Sequence, residues 1–307
     1  MSTGAWGTHY KRAAVTGGTG YVGTAVCRAI FARGHMVTAV SRTKKPRPII
    51  DTRGTVDFRS ASVLDPDALA AAFQNATTVV HLVGIIMETK GQSFEKVHVE
   101  GTRNAIEAAK KVGAARFIHM SALGAGREKP ARYHRTKAEA EDLVKASGLD
   151  WTIFRPSIIY GAGDDFVNRF AAMARALPFM PVIGSGKTRL QPIWVEDVAA
   201  AFAHAVDDPN TVGKAYDLGG PRAMTVLEIL DVVMRATGKR RPKIHLPAPF
   251  MMVQAALFEK LLPKPPVTRE QLIMLREDNV CSTNGLAETF QLKMLPLEEG
   301  ASYYLSS

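Results

Sequence analysis

The stretch RAAVTGGTGYVGTAVCRAIFARG, residues 12–34, carries the clearest fold signal in the chain. Its first six residues predict a short buried strand. Apolar residues at helical spacing follow, and they predict a helix that ends at Gly34. A glycine-rich turn joins the two elements, and this order is typical of a loop that binds the pyrophosphate of a dinucleotide.

Each of three glycines in this loop has its own predicted role. Gly17 allows a tight turn, Gly20 lets the backbone approach the pyrophosphate, and Gly23 lets the helix pack closely on the strand. The N-terminus of the helix then attracts the anion. We therefore predict a dinucleotide site, although a glycine-rich turn without a ligand would carry the same local signal.

Strand-like and helix-like segments alternate through the first 160 residues. Helical segments of ordinary length separate the strands, and one of them has Asp65 as its cap and Pro66 as its first residue. This alternation predicts an α/β fold, a doubly wound parallel sheet with helices on both faces. The predicted strands are 12–17, 36–42, 56–62, 77–84, 115–123 and 150–161.

Beyond residue 161 the alternation loosens, which predicts a small C-terminal lobe. We expect residues 1–160 to form a nucleotide-binding core, to which 190–220 return through a last strand at 214–220. Residues 161–189 and 221–307 would then form a smaller lobe for a substrate or a partner.

Composition is that of an ordinary globular chain, with 46% hydrophobic and 22% charged residues among 307. The two cysteines, Cys27 and Cys281, lie far apart in the chain and suit a reducing compartment, either cytoplasmic or matrix-like. The histidines lack the spacing of metal ligands, so we predict no metal site.

The formal net charge of +10 favours polyanionic partners: a phosphorylated cofactor, an anionic membrane surface or a nucleic acid. A basic protein without such a partner would have the same charge. The chain has no zinc-finger or RNA-recognition motif, so we expect no nucleic-acid partner.

The end of the second strand sets the predicted cofactor type. An acidic residue there would bind the ribose 2′-hydroxyl and repel a 2′-phosphate. The chain has Ser41-Arg42-Thr43-Lys44-Lys45 instead. We expect Arg42 to stack on the adenine and contact the phosphate, with help from Ser41 and Lys44. NADP(H) is therefore favoured over NAD(H), and a solvated basic loop is the alternative.

The stretch RYHRTKAEAE, residues 132–141, places Tyr133 four residues before Lys137, on one face of a predicted helix. A nearby ammonium favours the phenolate and would lower the pKa of the tyrosine from about 10 toward working pH. Such a tyrosine can exchange a proton with a substrate oxygen. An aromatic and a basic residue that share a helix face by chance would give the same pattern.

The glycine loop, the Tyr133/Lys137 pair, HVEGTRNAIEAAKK (98–111) and RPSIIYG (155–161) together resemble the extended and atypical short-chain dehydrogenase/reductases. The resemblance covers the chain to about residue 220. It implies a Rossmann fold of the short-chain dehydrogenase type, with Tyr133 and Lys137 as catalytic residues.

The same resemblance implies a catalytic hydroxyl at the end of the fifth strand. In HMSALGA, Ser121 stands one position early and Ala122 occupies the expected place. Ser121 is therefore the candidate third catalytic residue. The alternative is a Tyr133/Lys137 pair that holds a cofactor without turnover.

Cofactor contacts are expected from the glycine loop, from the ends of the strands and from the Tyr/Lys pair. The candidate cofactor-binding residues are Gly17, Thr19, Gly20, Tyr21, Val22, Gly23, Ser41, Arg42, Ser62, Val63, Leu82, Val83, Gly84, Tyr133, Lys137, Pro156 and Ile158.

Two later stretches carry a narrower resemblance. VNRFAAMARALPFMPVIGSGKTRLQPIWVEDVA (167–199) and PPVTREQLIMLREDNV (265–280) look like the subfamily of the NADPH-binding alpha-nine accessory subunit of respiratory complex I and its bacterial relatives. The second stretch is the more discriminating one. The resemblance implies a tightly held NADPH, atypical catalysis, a complex I or quinone-related assembly as partner, and a peripheral position on the inner membrane.

The segment HLPAPFMMVQAALFEKLLPKPP, residues 245–266, predicts a helix that is apolar almost all round. Such a helix either packs inside the small lobe or lies on a membrane or partner surface through residues 247–262, where the basic charge of the chain would help.

Three functional hypotheses follow. The first is an NADP(H)-binding protein with an accessory or assembly role linked to complex I or quinone metabolism. The second is an NADPH-dependent reductase of a lipophilic carbonyl or quinone-like substrate, with Tyr133 as acid and Lys137 as helper. The third and weaker one is a sugar-nucleotide epimerase or dehydratase, which Ala122 and the shortened approach to Tyr133 oppose.

Overall fold

The strands predicted from the sequence form one parallel sheet at the centre of the molecule. The computed structural model describes residues 10–42, 50–51, 54–263 and 265–306. The strands of this described part are β1 (Arg12–Thr16), β2 (Met36–Ser41), β3 (Ile50–Asp51), β4 (Gly54–Thr55), β5 (Asp57–Ser60), β6 (Thr78–His81), β7 (Arg116–Met120), β8 (Asp150–Pro156), β9 (Ile159–Tyr160), β10 (Met180–Ile183), β11 (Arg189–Leu190), β12 (Ile193–Trp194), β13 (Lys214–Leu218), β14 (Met224–Thr225) and β15 (Lys243–Leu246).

Helices cover both faces of the sheet and build the C-terminal part of the chain. A π-helical turn, Glu95–Glu100, precedes the third helix, and a short 3₁₀ turn spans Pro209–Thr211. The α-helices are α1 (Tyr21–Ala32), α2 (Pro66–Ala72), α3 (Gly101–Lys111), α4 (Arg132–Lys145), α5 (Val167–Ala176), α6 (Val195–Asp207), α7 (Val226–Ala236), α8 (Ala248–Leu261), α9 (Arg269–Met274), α10 (Gly285–Glu288) and α11 (Leu297–Leu305).

The central sheet has the strand order β13-β8-β7-β6-β1-β2-β5, and every pair in it is parallel. The chain winds outward from β1 in both directions, which confirms the predicted doubly wound α/β fold. Because successive side chains of a strand point to opposite faces, each strand contributes to two cores. Val15 packs with α1 and α6 on one face, and Ala14 packs with α2, α3 and α4 on the other.

Local sequence signals set several element ends. The side chain of Asp65 accepts a hydrogen bond from the Ala68 amide at 3.0 Å, and Pro66 opens α2, as predicted. The predicted last strand returns as β13 and pairs with β8 at the edge of the main sheet.

The predicted strand 150–161 is wrong in one respect, because it breaks at Ser157. The Ser157 hydroxyl donates a hydrogen bond to the side-chain oxygen of Asn279 at 2.6 Å, and the chain turns there. The residues beyond the break, β9, pair with β12 in a separate two-stranded sheet. In the stretch TREQLIMLRED, residues 268–278, only Arg269–Met274 form a helix, α9.

The C-terminal elements have small apolar cores of their own. Helices α5, α7 and α11 share one cluster that includes Val167, Ile229 and Leu297. Helices α8 and α9 share a smaller one, in which Ala255 and Leu272 are buried. The chain that follows α9 runs back to the main sheet, where the side-chain amide of Asn279 donates to the Leu123 carbonyl at 2.9 Å.

Candidate nucleotide-binding site

The glycine loop has the turn that its sequence predicts. Gly17 has a φ of 73°, which lies in the left-handed region that favours glycine. Its amide donates to the Val40 carbonyl at 2.8 Å, and the Gly20 amide donates back to the Gly17 carbonyl at 2.9 Å. The loop therefore closes tightly between the ends of β1 and β2.

Gly23 brings α1 directly onto this turn. A β-carbon at Gly23 would lie 2.0 Å from the Gly17 carbonyl oxygen, so no larger residue fits. Helix α1 begins at Tyr21 with Gly20 as its N-cap, and no side chain caps it. The first amide groups of α1 are thus left for an anion, and the open backbone around them fits the pyrophosphate of NAD(P)H.

Two candidate residues for the adenosine half of the cofactor meet beside this loop. The Thr19 hydroxyl donates to the Ser41 hydroxyl at 2.8 Å, which ties the glycine loop to the end of β2. Arg42 follows and is exposed. The other basic candidate, Lys44, lies outside the described residues together with Thr43 and Lys45.

The remaining predicted cofactor positions lie at the same carboxyl edge of the sheet. The Leu82 amide donates to the Thr16 carbonyl, the Leu123 amide to the Pro156 carbonyl and the Ile193 amide to the Ile158 carbonyl. The side-chain amide of Asn104 donates to the Val63 carbonyl, and the Leu64 amide donates to the Ser62 hydroxyl. Val83 lies beside Gly17. Val22 lies in the first turn of α1. The tertiary structure therefore brings the candidates from separate segments to one edge.

The side chain of Tyr21 lies beside Gly161 and Gly163. A β-carbon at Gly161 would lie 2.5 Å from the Tyr21 hydroxyl oxygen, so this ring packs against the chain beyond β9. Burial, followed by the Asp164 and Glu196 carboxylates, raises the pKa of Tyr21. Its side chain links the start of α1 to the C-terminal elements.

Lys137 is buried behind the edge where β6 and β7 end. Its side-chain nitrogen donates to the Met120 carbonyl at 3.0 Å. The same nitrogen would lie 2.9 Å from a β-carbon at Gly84, so a larger residue there would displace the end of the Lys137 side chain. Burial lowers the pKa of Lys137 to about 8, against the opposing effect of the Glu141 carboxylate.

Tyr133 stands on the same helix face, inside an aromatic cluster. Its ring meets the rings of Phe94, His98 and His134 edge-on, at centroid distances of 5.9, 5.4 and 5.4 Å. Burial raises the pKa of Tyr133 to about 12. The expectation of a lowered tyrosine pKa is therefore wrong for this structure, because burial of the phenol outweighs any effect of the Lys137 ammonium.

Ser121, the candidate catalytic hydroxyl, is buried beside the carboxylate of Glu141. Burial opposes ionisation of Glu141, but hydrogen bonds from Arg155 and Lys145, together with the nearby Ser121 hydroxyl, hold the pKa of Glu141 below its usual range. Arg155 approaches the Glu141 carboxylate at 2.7 and 2.5 Å. Among the described residues, no hydrogen bond of ordinary geometry reaches the Ser121 hydroxyl, from Tyr133 or from any other group.

Sequence reasoning missed His98, although it opens the HVEGTRNAIEAAKK stretch. Its Nε2 accepts the Ile85 amide at 3.1 Å, and its Nδ1 lies 2.9 Å from the Thr136 hydroxyl. Burial and the nearby Lys137 lower the pKa of His98, so the ring is neutral near pH 7. His98 thereby fixes the chain after Gly84 against the first turns of α4.

Residues from the C-terminal part also reach the site, and no local signal pointed to them. The Glu270 carboxylate accepts the backbone amide of Tyr133 at 2.7 Å, across 137 residues of sequence. Glu277 pairs with Lys129 at 2.7 Å, in the loop that leads into α4. The discriminating stretch 265–280 is therefore built onto the helix that carries Tyr133 and Lys137.

Helix α8 presents two different faces. Met251 and Ala255 are buried against α9. Four large apolar side chains on another face, hereafter the α8 stripe, are exposed: Phe250 by 60%, Val253 by 73%, Leu257 by 54% and Leu261 by 68%. Their spacing of three, four and four residues puts them on one side of the helix.

Within the described residues, histidine, cysteine, aspartate and glutamate side chains form no group of three or more that could hold a metal ion. None of the helices in the described ranges has both the length and the apolar character to cross a bilayer.

Comparison with known proteins gives three kinds of match. Residues 17–209 match the family described as NAD(P)H-binding. The chain is 31% identical to the mitochondrial NADH dehydrogenase [ubiquinone] 1 alpha subcomplex subunit 9 of Arabidopsis thaliana, over 93% of this chain and 73% of the relative. It is 30% identical to the ceramide reductase of Caulobacter vibrioides, over 80% of this chain and 77% of the relative.

Among solved structures, the chain resembles the NADPH-dependent quinone oxidoreductase of Escherichia coli in complex with NADPH. The TM-score is 0.74 and the identity 20%, over 95% of this chain and 99% of the other. At this identity the likeness concerns the fold alone.

Proposed function

Because the chain belongs to the NAD(P)H-binding short-chain dehydrogenase/reductase family that includes the alpha subcomplex subunit 9 proteins, we propose that it holds NADP(H) as an accessory or assembly protein. The assembly is a complex I or a quinone-related one. In this role the nucleotide stabilises and orients a protein surface, and turnover is not required.

One observation carries this proposal: the Ser121 hydroxyl, the candidate third catalytic group, is buried near Glu141 and makes no hydrogen bond to Tyr133 among the described residues. The pKa of Tyr133 is raised to about 12 by burial, whereas an efficient general acid has a pKa near the working pH. Ala122 stands where the family has a hydroxyl, and Ser121 lies beside Glu141. Lys137 is held by Met120, in a position suited to the cofactor ribose.

Support for NADP(H) over NAD(H) comes from the end of β2. Ser41 and the exposed Arg42 stand where an acidic residue would repel a 2′-phosphate. When bound, the cofactor supplies hydride chemistry. In the proposed role this chain's own residues hold it through the glycine loop, Arg42 and Lys137.

A membrane surface rich in anionic lipid is the proposed docking partner of the α8 stripe. The exposed apolar side chains suit the boundary between head groups and acyl chains. The basic run Lys239-Arg240-Arg241 precedes β15 and α8, and Lys239 and Arg240 are exposed. Lys260 is exposed near the end of the helix. These cations complement anionic head groups, and the protein would be peripheral on the inner membrane, on its reducing side.

Gentle native purification from the source membranes tests the proposal. We expect complex I or quinone-pathway proteins to accompany the chain, together with about one NADPH per chain. The Tyr133→Phe variant should retain both, because the phenol proton has no part in holding the assembly. A lone protein that exchanges NADP⁺ and NADPH freely would contradict the accessory role.

A reductase of a lipophilic carbonyl or quinone-like substrate is the second candidate. Tyr133 and Lys137 share one helix face, and one relative bears the name ceramide reductase. This candidate requires that Tyr133→Phe abolish turnover while NADPH affinity stays nearly unchanged. Equal turnover by the variant would remove Tyr133 from the chemistry. Binding of nucleotide sugars would instead favour the weaker epimerase hypothesis.

A further inference from the structure

Helix α4 does not cap its own N-terminus. Its N-cap residue is Ala131, which makes no side-chain hydrogen bond, and its first turn has no acidic residue. The turn instead carries Arg132 and Arg135, and positive charge is unfavourable at the positive end of a helix. The Glu270 carboxylate supplies what is missing, since it accepts the Tyr133 amide at 2.7 Å.

The residue before Glu270 ties the same short helix to α8. The backbone amide and the side-chain Nε of Arg269 both donate to the Glu259 carboxylate, at 2.7 Å each. This pair is partly exposed, so its direct contribution to stability is small. Its value is geometric: together with Leu272 packed on Ala255, it sets how α9 lies against α8.

A capping box makes the start of α9 a defined structure. The Thr268 hydroxyl accepts the Gln271 amide at 3.2 Å, and the Gln271 side chain accepts the Thr268 amide at 3.2 Å. Arg269 and Glu270 are the first two residues after this cap, so they point to α8 and α4 from one short segment. A shift of α9 would disturb both contacts together.

We propose that Glu270 is a positioning residue of the nucleotide site, and that through α9 it links nucleotide occupancy to the docking face of α8. This inference rests on the proposed function, in which Lys137 of α4 contacts NADP(H) and the α8 stripe docks on a membrane. A nucleotide that orders the first turns of α4 strengthens the cap, and the cap holds α9 and α8 in place. By reciprocity, docking of α8 must tighten nucleotide binding by the same factor.

The carboxylates of Glu277 and Asp278, in the same stretch 265–280, do not cap α4. Glu277 pairs with Lys129 in the preceding loop, and Asp278 accepts the amide and Nε of Arg189 at 2.8 Å each. Asp278→Asn is therefore a matched control, because it changes a carboxylate of the same stretch that touches neither α4 nor α8.

Hydrogen exchange on the full chain tests the link without a membrane. Addition of NADPH should slow exchange of the backbone amides in α9 and at the end of α8 in the wild-type protein and in Asp278→Asn. Glu270→Ala should lose this effect, and Glu270→Gln should restore most of it, because an amide oxygen still accepts the Tyr133 amide. A purely structural role would change overall stability but would not respond to nucleotide in this pattern.

The second arm measures reciprocity with vesicles of phosphatidylcholine and phosphatidylglycerol. We expect NADPH to strengthen vesicle binding by about fivefold or more, and vesicles to tighten NADPH binding by the same factor. Arg269→Ala should bind NADPH like the wild type yet show no coupling in either arm, which keeps the test valid even if Glu270→Ala folds poorly.

The outcomes separate this inference from the proposed function. NADPH binding and vesicle binding that are independent of one another, with unchanged exchange in α9, would overturn the link and leave the proposed function standing. If NADPH binding and vesicle binding were coupled equally in the wild type and in Glu270→Ala, Glu270 would have no part in the link. A chain that binds no NADPH would overturn both.

Discussion

The side-chain nitrogen of Lys137 donates a hydrogen bond across 3.0 Å to the backbone carbonyl oxygen of Met120, the last residue of β7. This contact anchors α4 to the carboxyl edge of the sheet and fixes a buried ammonium at the point where the proposed nicotinamide half of the cofactor lies. Gly84 leaves the space for it. The lysine is thus part of the scaffold as well as a candidate cofactor ligand.

The buried ammonium of Lys137 predicts a dependence of stability on pH. Its pKa is about 8 in the folded protein and about 10.4 in an unfolded chain. Between these values the unfolded state binds more protons, so the contribution of Lys137 to the free energy of unfolding rises with pH, by a total on the order of 3 kcal/mol. Below pH 8 Lys137 is charged in both the folded and the unfolded state, and the cost of burying its ammonium lowers the free energy of unfolding in full.

Denaturant unfolding of the wild type and of Lys137→Met from pH 7 to pH 10.5 checks this. The stability of the wild type relative to the variant should increase across that window. Other lysines and tyrosines titrate in both proteins and cancel in the difference. A difference that does not vary with pH would refute a lowered pKa at Lys137.

Gly23→Ala should damage both the fold and nucleotide binding. The added carbon would lie 2.0 Å from the Gly17 carbonyl oxygen, and backbone must move to accept it. We expect a loss of about 1–3 kcal/mol in the free energy of unfolding, as is typical of overpacking, and loss of NADPH binding. Gly20→Ala, with a closest approach of 3.1 Å, should be milder. Urea unfolding and NADPH titration measure both effects, and an inverted order of the two variants would contradict the packing argument.

Arg42 should decide between the two nicotinamide cofactors. If its guanidinium contacts the 2′-phosphate, Arg42→Ala should weaken NADPH binding by about tenfold or more, since a charge-assisted hydrogen bond is lost. NADH binding should change little. Arg12 is the control, because it is the first residue of β1 and lies beside Met36 at the opposite end of the strands. Titrations with both cofactors measure the change, and an equal loss for NADH would contradict a role in recognising the phosphate.

The α8 stripe should bind anionic vesicles through its apolar side chains. Replacing Val253 and Leu257 together by serine should weaken binding by about tenfold or more, because two exposed side chains lose their apolar area. Tyr303→Ser is the control, since Tyr303 is exposed to a similar extent on α11. Vesicle sedimentation measures the change. Added salt should weaken the remaining electrostatic attraction, and equal binding by all three proteins would exclude the stripe.

Much of the nucleotide site was predictable because its signals are local. The roles of Gly17 and Gly23 follow from steric rules that act over a few residues, and the spacing of Tyr133 and Lys137 follows from the helix period. The order of strands and helices predicted a parallel sheet, and parallel strands bring their carboxyl ends to one edge.

The chemistry of the site was less predictable, and the tyrosine shows why. Proximity in sequence predicted that Lys137 would lower the pKa of Tyr133, but the pKa depends on how much water surrounds the phenol. Phe94, His98 and His134 surround the phenol. The packing of α4 against the π-helical turn before α3 brings these rings together.

The doubly wound sheet, the glycine loop and the helix face of Tyr133 and Lys137 were predictable from the amino-acid sequence, because strand and helix periodicity and glycine turns are signals that lie within short stretches of chain. The folded structure was needed to show that Ser121 lies beside Glu141, that Glu270 caps α4 from 137 residues away, and that one face of α8 stays exposed. Burial, ionisation and distant hydrogen bonds depend on which segments pack together, and the local periodicity of the sequence does not specify that packing.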